Sequence, residues 1–356
     1  MSIKILQSKG FFDINTLQKF DTKGMYKIYD MWPQIAKESY QTNQEPLDLK
    51  NVEHIVFAGM GGSGAINDVF SAILSKTGIH VTVVKGYHLP RTVKSDSLVV
   101  AASASGNTVE TLTVLDSAKQ LGCKTISFSY GGKMEQFCQK HGLEYRNVLM
   151  PHSPRAALTS FLYSMLRVLE PVLPIKKEEV TESISQLEQT KREISSSNLS
   201  ETNPALELAK WITGIPVVYY PYGLEASAIR FKNSLQENAK SHIIIEEILE
   251  ASHNGIVSWE KPSNVQPILM QGRDDHIQTK VRWKIFKRFF DEREIDYKEV
   301  FSTEGSILTK LINLNYLLDY STIYRAVLSK IDPSPVSSIN YIKQNLLRNE
   351  NNHLQI

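Results

Sequence analysis

Only two cysteines, Cys123 and Cys138, occur among 356 residues. Two thiols build neither a disulfide framework nor a four-ligand zinc site, and free thiols fit a reducing cytoplasm, where the chain is expected to reside. Neither sign of charge is in excess, since 40 Lys and Arg against 38 Asp and Glu leave +2. That balance lacks the electrostatic footprint of a nucleic-acid binder, and no such partner is expected. No run reaches the roughly 18 apolar residues of a membrane span, and residues 1–9 lack the apolar stretch of a secretory leader. No membrane partner is expected either. His, Cys, Asp and Glu form no cluster at metal-ligand spacing, so no metal and no other cofactor is expected. What is there is ordinary for a soluble globular protein, 42% hydrophobic and 22% charged residues, in a length that carries roughly two domains.

The apolar residues fall into short runs. His54-Ile55-Val56-Phe57-Ala58, His80-Val81-Thr82-Val83-Val84, Leu98-Val99-Val100-Ala101-Ala102 and Thr125-Ile126-Ser127-Phe128-Ser129 alternate with helix-like stretches. That rhythm predicts a parallel α/β sheet covered on both faces. It returns later in Ile215 to Tyr220, His242 to Glu246, Pro267 to Met270 and Tyr297 to Val300. Ile55 and Val217 are 162 residues apart, as are His80 and His242, and the next two pairs are 170 and 172 apart. Matching order at nearly constant offset predicts a tandem duplication of one α/β unit. The expected organisation is a helical segment at 1–50, a first α/β unit at 51–171, an exposed helical connector at 172–203, a second unit at 204–305 and a helical segment at 306–356. In the last segment Leu308, Leu311, Leu314, Leu317 and Leu318 form an apolar stripe. Residues 331–335 then break the helix, and the polar tail 348–352 is expected to fray.

Two strand-to-helix junctions stand out. Gly59-Met60-Gly61-Gly62-Ser63-Gly64 follows the first strand, where backbone N–H groups and the helix dipole favour an anion. Its glycine spacing matches a dinucleotide fingerprint, but the second strand runs into Lys85-Gly86-Tyr87 with no acid for a ribose hydroxyl. A tight turn without a ligand is the plainer alternative. The second junction, Ser103-Ala104-Ser105-Gly106-Asn107-Thr108, places three hydroxyls within six residues. Hydroxyls and helix-start N–H groups donate well to a phosphate monoester, and Thr108 can also cap the helix that follows.

Together these junctions resemble the sugar isomerase (SIS) domain of phosphosugar enzymes. Further motifs narrow the likeness: Pro154-Arg155-Ala156-Ala157, Gln236-Glu237-Asn238-Ala239-Lys240, Ser252-His253-Asn254, and Asp332-Pro333-Ser334-Pro335-Val336 leading to Lys343. Over residues 25–345 the chain resembles the archaeal-type bifunctional phosphoglucose/phosphomannose isomerases. The resemblance implies two SIS-type units, sugar-phosphate substrates, a homodimer and a residue-by-residue site. Gly62, Ser63, Ser103, Ser105 and Thr108 would hold the 6-phosphate. Arg155 would face the enediolate, Glu237 would be the base, His253 would open the ring and Lys343 would assist it. Two departures are visible: Gly255 follows Asn254 where relatives carry an acid, and Met270-Gln271-Gly272-Arg273 replaces the hydroxyl loop in the second unit, so no phosphate site is expected there.

The implied chemistry asks for these residue types. Aldose–ketose exchange moves a proton between C2 and C1 through a cis-enediol, which one carboxylate on one face can do. A permanently protonated arginine stabilises the developing enediolate, and ring opening suits a group titrating near neutrality. Glucose and mannose 6-phosphates lose their C2 difference in the enediol, so one metal-free site serves both. His253 lies 16 residues beyond Glu237, too far for one helix face, so the two would meet through folding or across subunits. The alternative weighed is a non-catalytic SIS-domain sensor, which needs Ser63 and the 103–108 loop but not Glu237, His253 and Arg155 together. An amino-sugar isomerase would carry an amidotransferase domain, for which this length leaves no room.

Overall fold

The computed structural model describes residues 12–353, so the reading of residues 1–9 lies outside it. Three helices, α1 (Ile14–Phe20), α2 (Met25–Asp30) and α3 (Trp32–Tyr40), lead into the first sheet. There β1 (His54–Ala58), α4 (Gly61–Leu74), β2 (His80–Val84), β3 (Leu98–Ser103), α5 (Val109–Gln120), β4 (Lys124–Ser129), α6 (Gly132–His141) and β5 (Glu144–Asn147) follow in turn. All pairings are parallel in the order β2-β1-β3-β4-β5, with Ile55 opposite Val81 on one side and Leu98 on the other. Every residue of β3 is buried, as a central parallel strand covered on both faces must be.

Helices α7 (Leu158–Val168), α8 (Lys177–Ile194) and α9 (Pro204–Trp211) join this sheet to the next. The second unit comprises β6 (Ile215–Tyr220), α10 (Glu225–Ala239), β7 (Ile244–Glu247), α11 (Ile248–Ala251), β8 (Val265–Gln271), α12 (Ile277–Asp291) and β9 (Lys298–Phe301). Its sheet is again wholly parallel, in the order β7-β6-β8-β9. Numbered within each unit, both sheets run 2-1-3-4, the shared path that the offsets predicted. Helices α13 (Ile307–Leu328) and α14 (Ser337–His353) complete the chain. No described helix is long and apolar enough to cross a membrane.

One core serves both sheets. It joins Phe57 and Val100 of the first to Val218 and Ile268 of the second through Trp32, Phe161, Leu187 and Tyr316 of the helices. Tyr29 and Tyr316 stack on the two sides of Trp32, with centroids at 4.5 and 5.2 Å.

Four details differ from the sequence expectations. The fifth strand, β5, went unread because Glu144-Tyr145-Arg146-Asn147 has no apolar run, being a partly exposed edge. Helix α13 is buried all round rather than along one stripe, for it lies between α8, α9 and α10. The connector is not simply exposed, since α8 buries Val180, Ser183, Leu187, Thr190 and Ile194, and Asp30 accepts hydrogen bonds from Ser196 N and Oγ. Residues 348–352 continue α14 to His353 rather than ending the helix.

Candidate active site

Both phosphate-friendly junctions lie at the carboxyl ends of β1 and β3, and a hydrogen bond joins them. Ser63, in the first turn of α4, accepts the Ala104 N–H through its Oγ at 3.1 Å. The Ser63 hydroxyl hydrogen remains available to a ligand. Across the second loop, Ser103 Oγ and Thr108 Oγ1 are 2.9 Å apart. They share one hydrogen between them, which leaves the other to point outward. Thr108 does not cap α5 with its side chain as expected, because its hydroxyl faces Ser103 instead. Ser105 Oγ receives the Asn107 N–H at 3.3 Å, and Asn107 Oδ1 takes the N–H of Lys133 at 3.1 Å, tying the loop to the start of α6. Gly106 is obligatory here: its φ is +66°, and an added Cβ would lie 1.8 Å from the Gly131 carbonyl oxygen. Gly62, Ser63, Ser103, Ser105 and Thr108 thus lie at one hydroxyl-rich corner at the carboxyl ends of β1 and β3.

Arg155 comes from the loop before α7 and is 4% exposed. Its Nε donates to Asn238 Oδ1 at 2.6 Å, Nη1 to Glu237 Oε2 at 3.3 Å, and Nη2 to the carbonyls of Pro333 and Ser334 at 2.7 and 2.8 Å. Four of the five guanidinium N–H groups are used among the described residues, and the fifth remains on Nη1, beside the Glu237 carboxylate. Glu237 and Asn238 end α10, so the second unit delivers its carboxylate and amide to an arginine of the first. An added Cβ on Gly62 would stand 3.2 Å from the Pro154 carbonyl oxygen and 3.6 Å from Arg155 N. The phosphate-friendly turn therefore rests directly on the backbone that carries the guanidinium.

Several supports of this cluster carried no assignment in the sequence. Arg230, two turns before Glu237 on α10, donates through Nη2 to the Arg155 carbonyl and pairs with Asp319 Oδ2 at 2.6 Å. Both members are buried, and Tyr29 Oη donates to the same Asp319 oxygen at 3.3 Å. Asn238 Nδ2 donates to Thr322 Oγ1 at 2.8 Å. Lys240 closes α10 in a left-handed conformation, φ +55°, and its Nζ donates to the Pro335 carbonyl at 2.8 Å and to that of Glu237. Burial, and then the Arg155 charge, hold the Lys240 pKa below its usual value. His152 lies at the rim, its Nε2 3.5 Å from Ser334 Oγ, and burial followed by Arg155 lowers its pKa. The available signals were faint: an arginine seven residues before Glu237, and a lone aspartate among the apolar residues of α13.

His253 and Lys343 are not brought to this cluster. His253 is exposed just past α11, and among the described residues no side chain bonds its ring. Lys343 is exposed on α14, beside the exposed Ile339, Tyr341 and Ile342. Near His253 the Glu246 carboxylate packs against Gly255, where an added Cβ would meet Oε2 at 2.0 Å. Strand β7 thus places an acid beside the position where the loop itself lacks one, and burial raises that acid's pKa.

Residues 48–170 match the SIS domain model, and residues 201–346 match the model of the bacterial phospho-glucose isomerase C-terminal SIS domain. The bifunctional phosphoglucose/phosphomannose isomerase of Caldicellulosiruptor bescii is 31% identical over 338 residues, covering 90% of this chain and 97% of that protein. The bifunctional phosphoglucose/phosphomannose isomerase of Aquifex aeolicus is also 31% identical, over 91% of this chain and 96% of its own. Among solved structures, a hypothetical protein from Thermus thermophilus superposes with a TM-score of 0.69 at 13% identity, covering 95% of this chain and 90% of the other. The tagatose-6-phosphate ketose/aldose isomerase of Escherichia coli superposes with a TM-score of 0.62 at 14% identity, over 90% and 94%. At such identities these two structures establish the fold alone.

Proposed function

Because the chain belongs to the bifunctional phosphoglucose/phosphomannose isomerase family, we propose that it interconverts glucose 6-phosphate and mannose 6-phosphate with fructose 6-phosphate. The observation that carries the reading is the contact of buried Arg155 with the partly exposed Glu237 carboxylate, with one guanidinium N–H unspent, beside the hydroxyl-lined corner through Gly62.

In this reading Ser63, Ser103, Ser105, Thr108 and the Gly62 backbone hold the 6-phosphate, far from the reacting carbons. Glu237 takes the proton from C2 and returns it to C1, or the reverse for the ketose, on one face of the enediol. The spare Nη1 hydrogen of Arg155 meets the charge that appears on the enediolate oxygens. Because the guanidinium is nine-tenths buried and already oriented by Asn238, Pro333 and Ser334, that contact gains strength in a low dielectric and needs no reorganisation. No step calls for a metal.

Ring opening falls to His253, assisted by Lys343. Since neither reaches Arg155 within the chain, the working unit is a homodimer in which His253 enters from the neighbouring copy. The exposed apolar residues of α14, Ile339, Tyr341, Ile342 and Leu346, favour such burial. We take residues 51–171 and 204–305 as the two SIS units and the cytoplasm as the site of action. No observation favours the non-catalytic sensor, which has no use for a buried arginine held against a carboxylate.

A coupled assay on the purified chain, with glucose, mannose and fructose 6-phosphates and with or without EDTA, tests the reading. Interconversion of all three that survives the chelator is expected. Turnover of none of them would overturn it.

A further inference from the structure

The third strand of the second unit ends at a pocket of its own. Where β3 runs into hydroxyls, β8 runs into Gln271, Gly272 and Arg273, and a cavity of about 270 Å³ opens between this loop, α12 and the end of β9. Four cations face it, Arg273, Lys280, Lys284 and Lys287, with Trp283 and Phe301 as apolar walls. Among the described residues no carboxylate lines it. Three acids flank it, two of them bonded to residues of its lining. Glu299 accepts from Gln271 Nε2 at 2.6 Å and pairs with Lys287 at 3.0 Å. Asp274 pairs with Lys310, and Asp275 Oδ2 accepts the indole N–H of Trp283 at 2.8 Å and the Gly272 N–H at 3.1 Å.

Arg273, Lys280 and Lys284 are left without an ion pair among the described residues, Arg273 lying over the Phe301 ring at 5.6 Å. Lys280 and Lys284 sit four residues apart on α12, and Lys287 follows three further on. Like charges at those spacings repel and weaken a helix; Glu299 offsets Lys287 and the Asp274 and Asp275 carboxylates partly offset Lys280, while Lys284 and Arg273 have no such compensation in an ion pair among the described residues. A chain whose charges balance overall has concentrated one sign around a cavity at the carboxyl end of a parallel sheet, where α/β folds bind ligands.

We propose that this pocket is a second anion site, separate from the catalytic cluster, which binds the phosphate group of a small phosphate monoester or free phosphate through side-chain cations. The missing hydroxyl loop therefore marks a change of chemistry, from N–H and O–H donors to ammonium and guanidinium groups, rather than the absence of a site. The volume admits a phosphate with a few carbons attached. The pocket does not depend on the isomerase reading, since it shares no residue with it.

Calorimetric titration of the full chain with inorganic phosphate, and separately with glucose 6-phosphate, tests the proposal. The wild type is expected to bind two equivalents per chain, one of them lost or weakened at least tenfold in Lys280→Gln/Lys284→Gln, with kcat/KM within twofold of wild type. In Ser103→Ala/Thr108→Ala the pocket's equivalent should remain. A tighter sugar phosphate assigns the site to a phosphorylated metabolite, and equal affinities assign it to free phosphate. Phosphate binding undiminished in the double lysine variant overturns the proposal, whether the wild type binds one equivalent or two, and so does a wild type whose single equivalent is lost in Ser103→Ala/Thr108→Ala. So does binding of a long polyanion through these lysines while phosphate itself does not bind.

Discussion

The two α/β units follow the same path through their sheets and finish it differently. In the first, β1 and β3 end in glycine and small hydroxyl residues that donate N–H and O–H groups from a rigid corner. In the second, the helix after the leading strand, α10, ends in Glu237 and Asn238, and the third strand ends among cations. In the proposed reading the first unit holds and the second reacts. A duplicated scaffold tolerates this split because the strands and their order carry stability, while the loops at one edge are free to change chemistry. The two halves meet at Arg155, which leaves the first unit and is gripped by the second.

The sharpest way to break that contrast is Glu237→Gln. It should lower kcat by about 10² to 10⁴, as expected for loss of a general base, with little change in KM. A variant within threefold of wild type would remove the second unit's claim to the chemistry. Next is the seam itself. Arg230→Met leaves Asp319 buried without its partner and should cost about 3–5 kcal/mol of stability in denaturant unfolding, whereas Arg230→Met/Asp319→Leu should recover most of it. Equal losses in both variants would show that the pair matters for packing and not for charge. The first unit's role is tested by Ser103→Ala/Thr108→Ala, which should raise KM for sugar phosphates tenfold or more, at roughly 1.5–3 kcal/mol per charge-assisted bond, and change kcat far less. A fall confined to kcat would move this corner from holding to reacting.

Whether the units cooperate within one chain or across two is tested by mixing. Inactive Arg155→Ala and His253→Ala chains that exchange subunits should regain activity at about a quarter of the sites, because half the dimers are hybrids and each hybrid rebuilds one site. A dead mixture with proven exchange would confine His253 to its own chain. The smallest effect concerns His152. Its folded pKa is held down by burial, then by Arg155 and Lys23, with Asp332 opposing. The unfolded chain therefore binds the proton more readily, and stability falls as pH drops below the ordinary histidine value. His152→Asn should reduce that acid sensitivity, read from unfolding at pH 7 against pH 5. An unchanged acid slope would place the sensitivity elsewhere.

Much of this is legible in the sequence. The β-rich runs announced eight of the nine described strands, most plainly β1, β3, β4, β6 and β8, which are largely buried and so must be apolar on both faces, whereas the polar edge Glu144–Asn147 carried no such mark. The hydroxyl loop was visible as composition and spacing, although where Thr108 spends its hydroxyl was not. Arg155 and Glu237 are 82 residues apart, and only resemblance, not periodicity, joined them. Arg230 and Asp319 escaped notice because a buried ion pair leaves no local pattern: each member is one polar residue in an otherwise regular helix. The pocket at Arg273 was hidden for a related reason. Its lysines look like the solvated face of α12 until the fold turns that face toward the end of β9.

The contact of Gly62 with the Pro154 carbonyl makes the site a fixed gauge. In the proposed reading one end of the substrate is anchored at the turn and the other meets the guanidinium, whose side chain leaves the backbone at that turn and is pinned by Asn238, Pro333 and Ser334. On that reading the distance from phosphorus to the reacting carbons is set by packed backbone and a pinned guanidinium. A phosphorylated sugar one carbon shorter would seat its phosphate equally well and yet present the wrong atom to Glu237, at a misplacement of the size that typically costs about a hundredfold in rate. Discrimination by chain length then appears in turnover more than in binding, and it requires no residue dedicated to recognising the sugar.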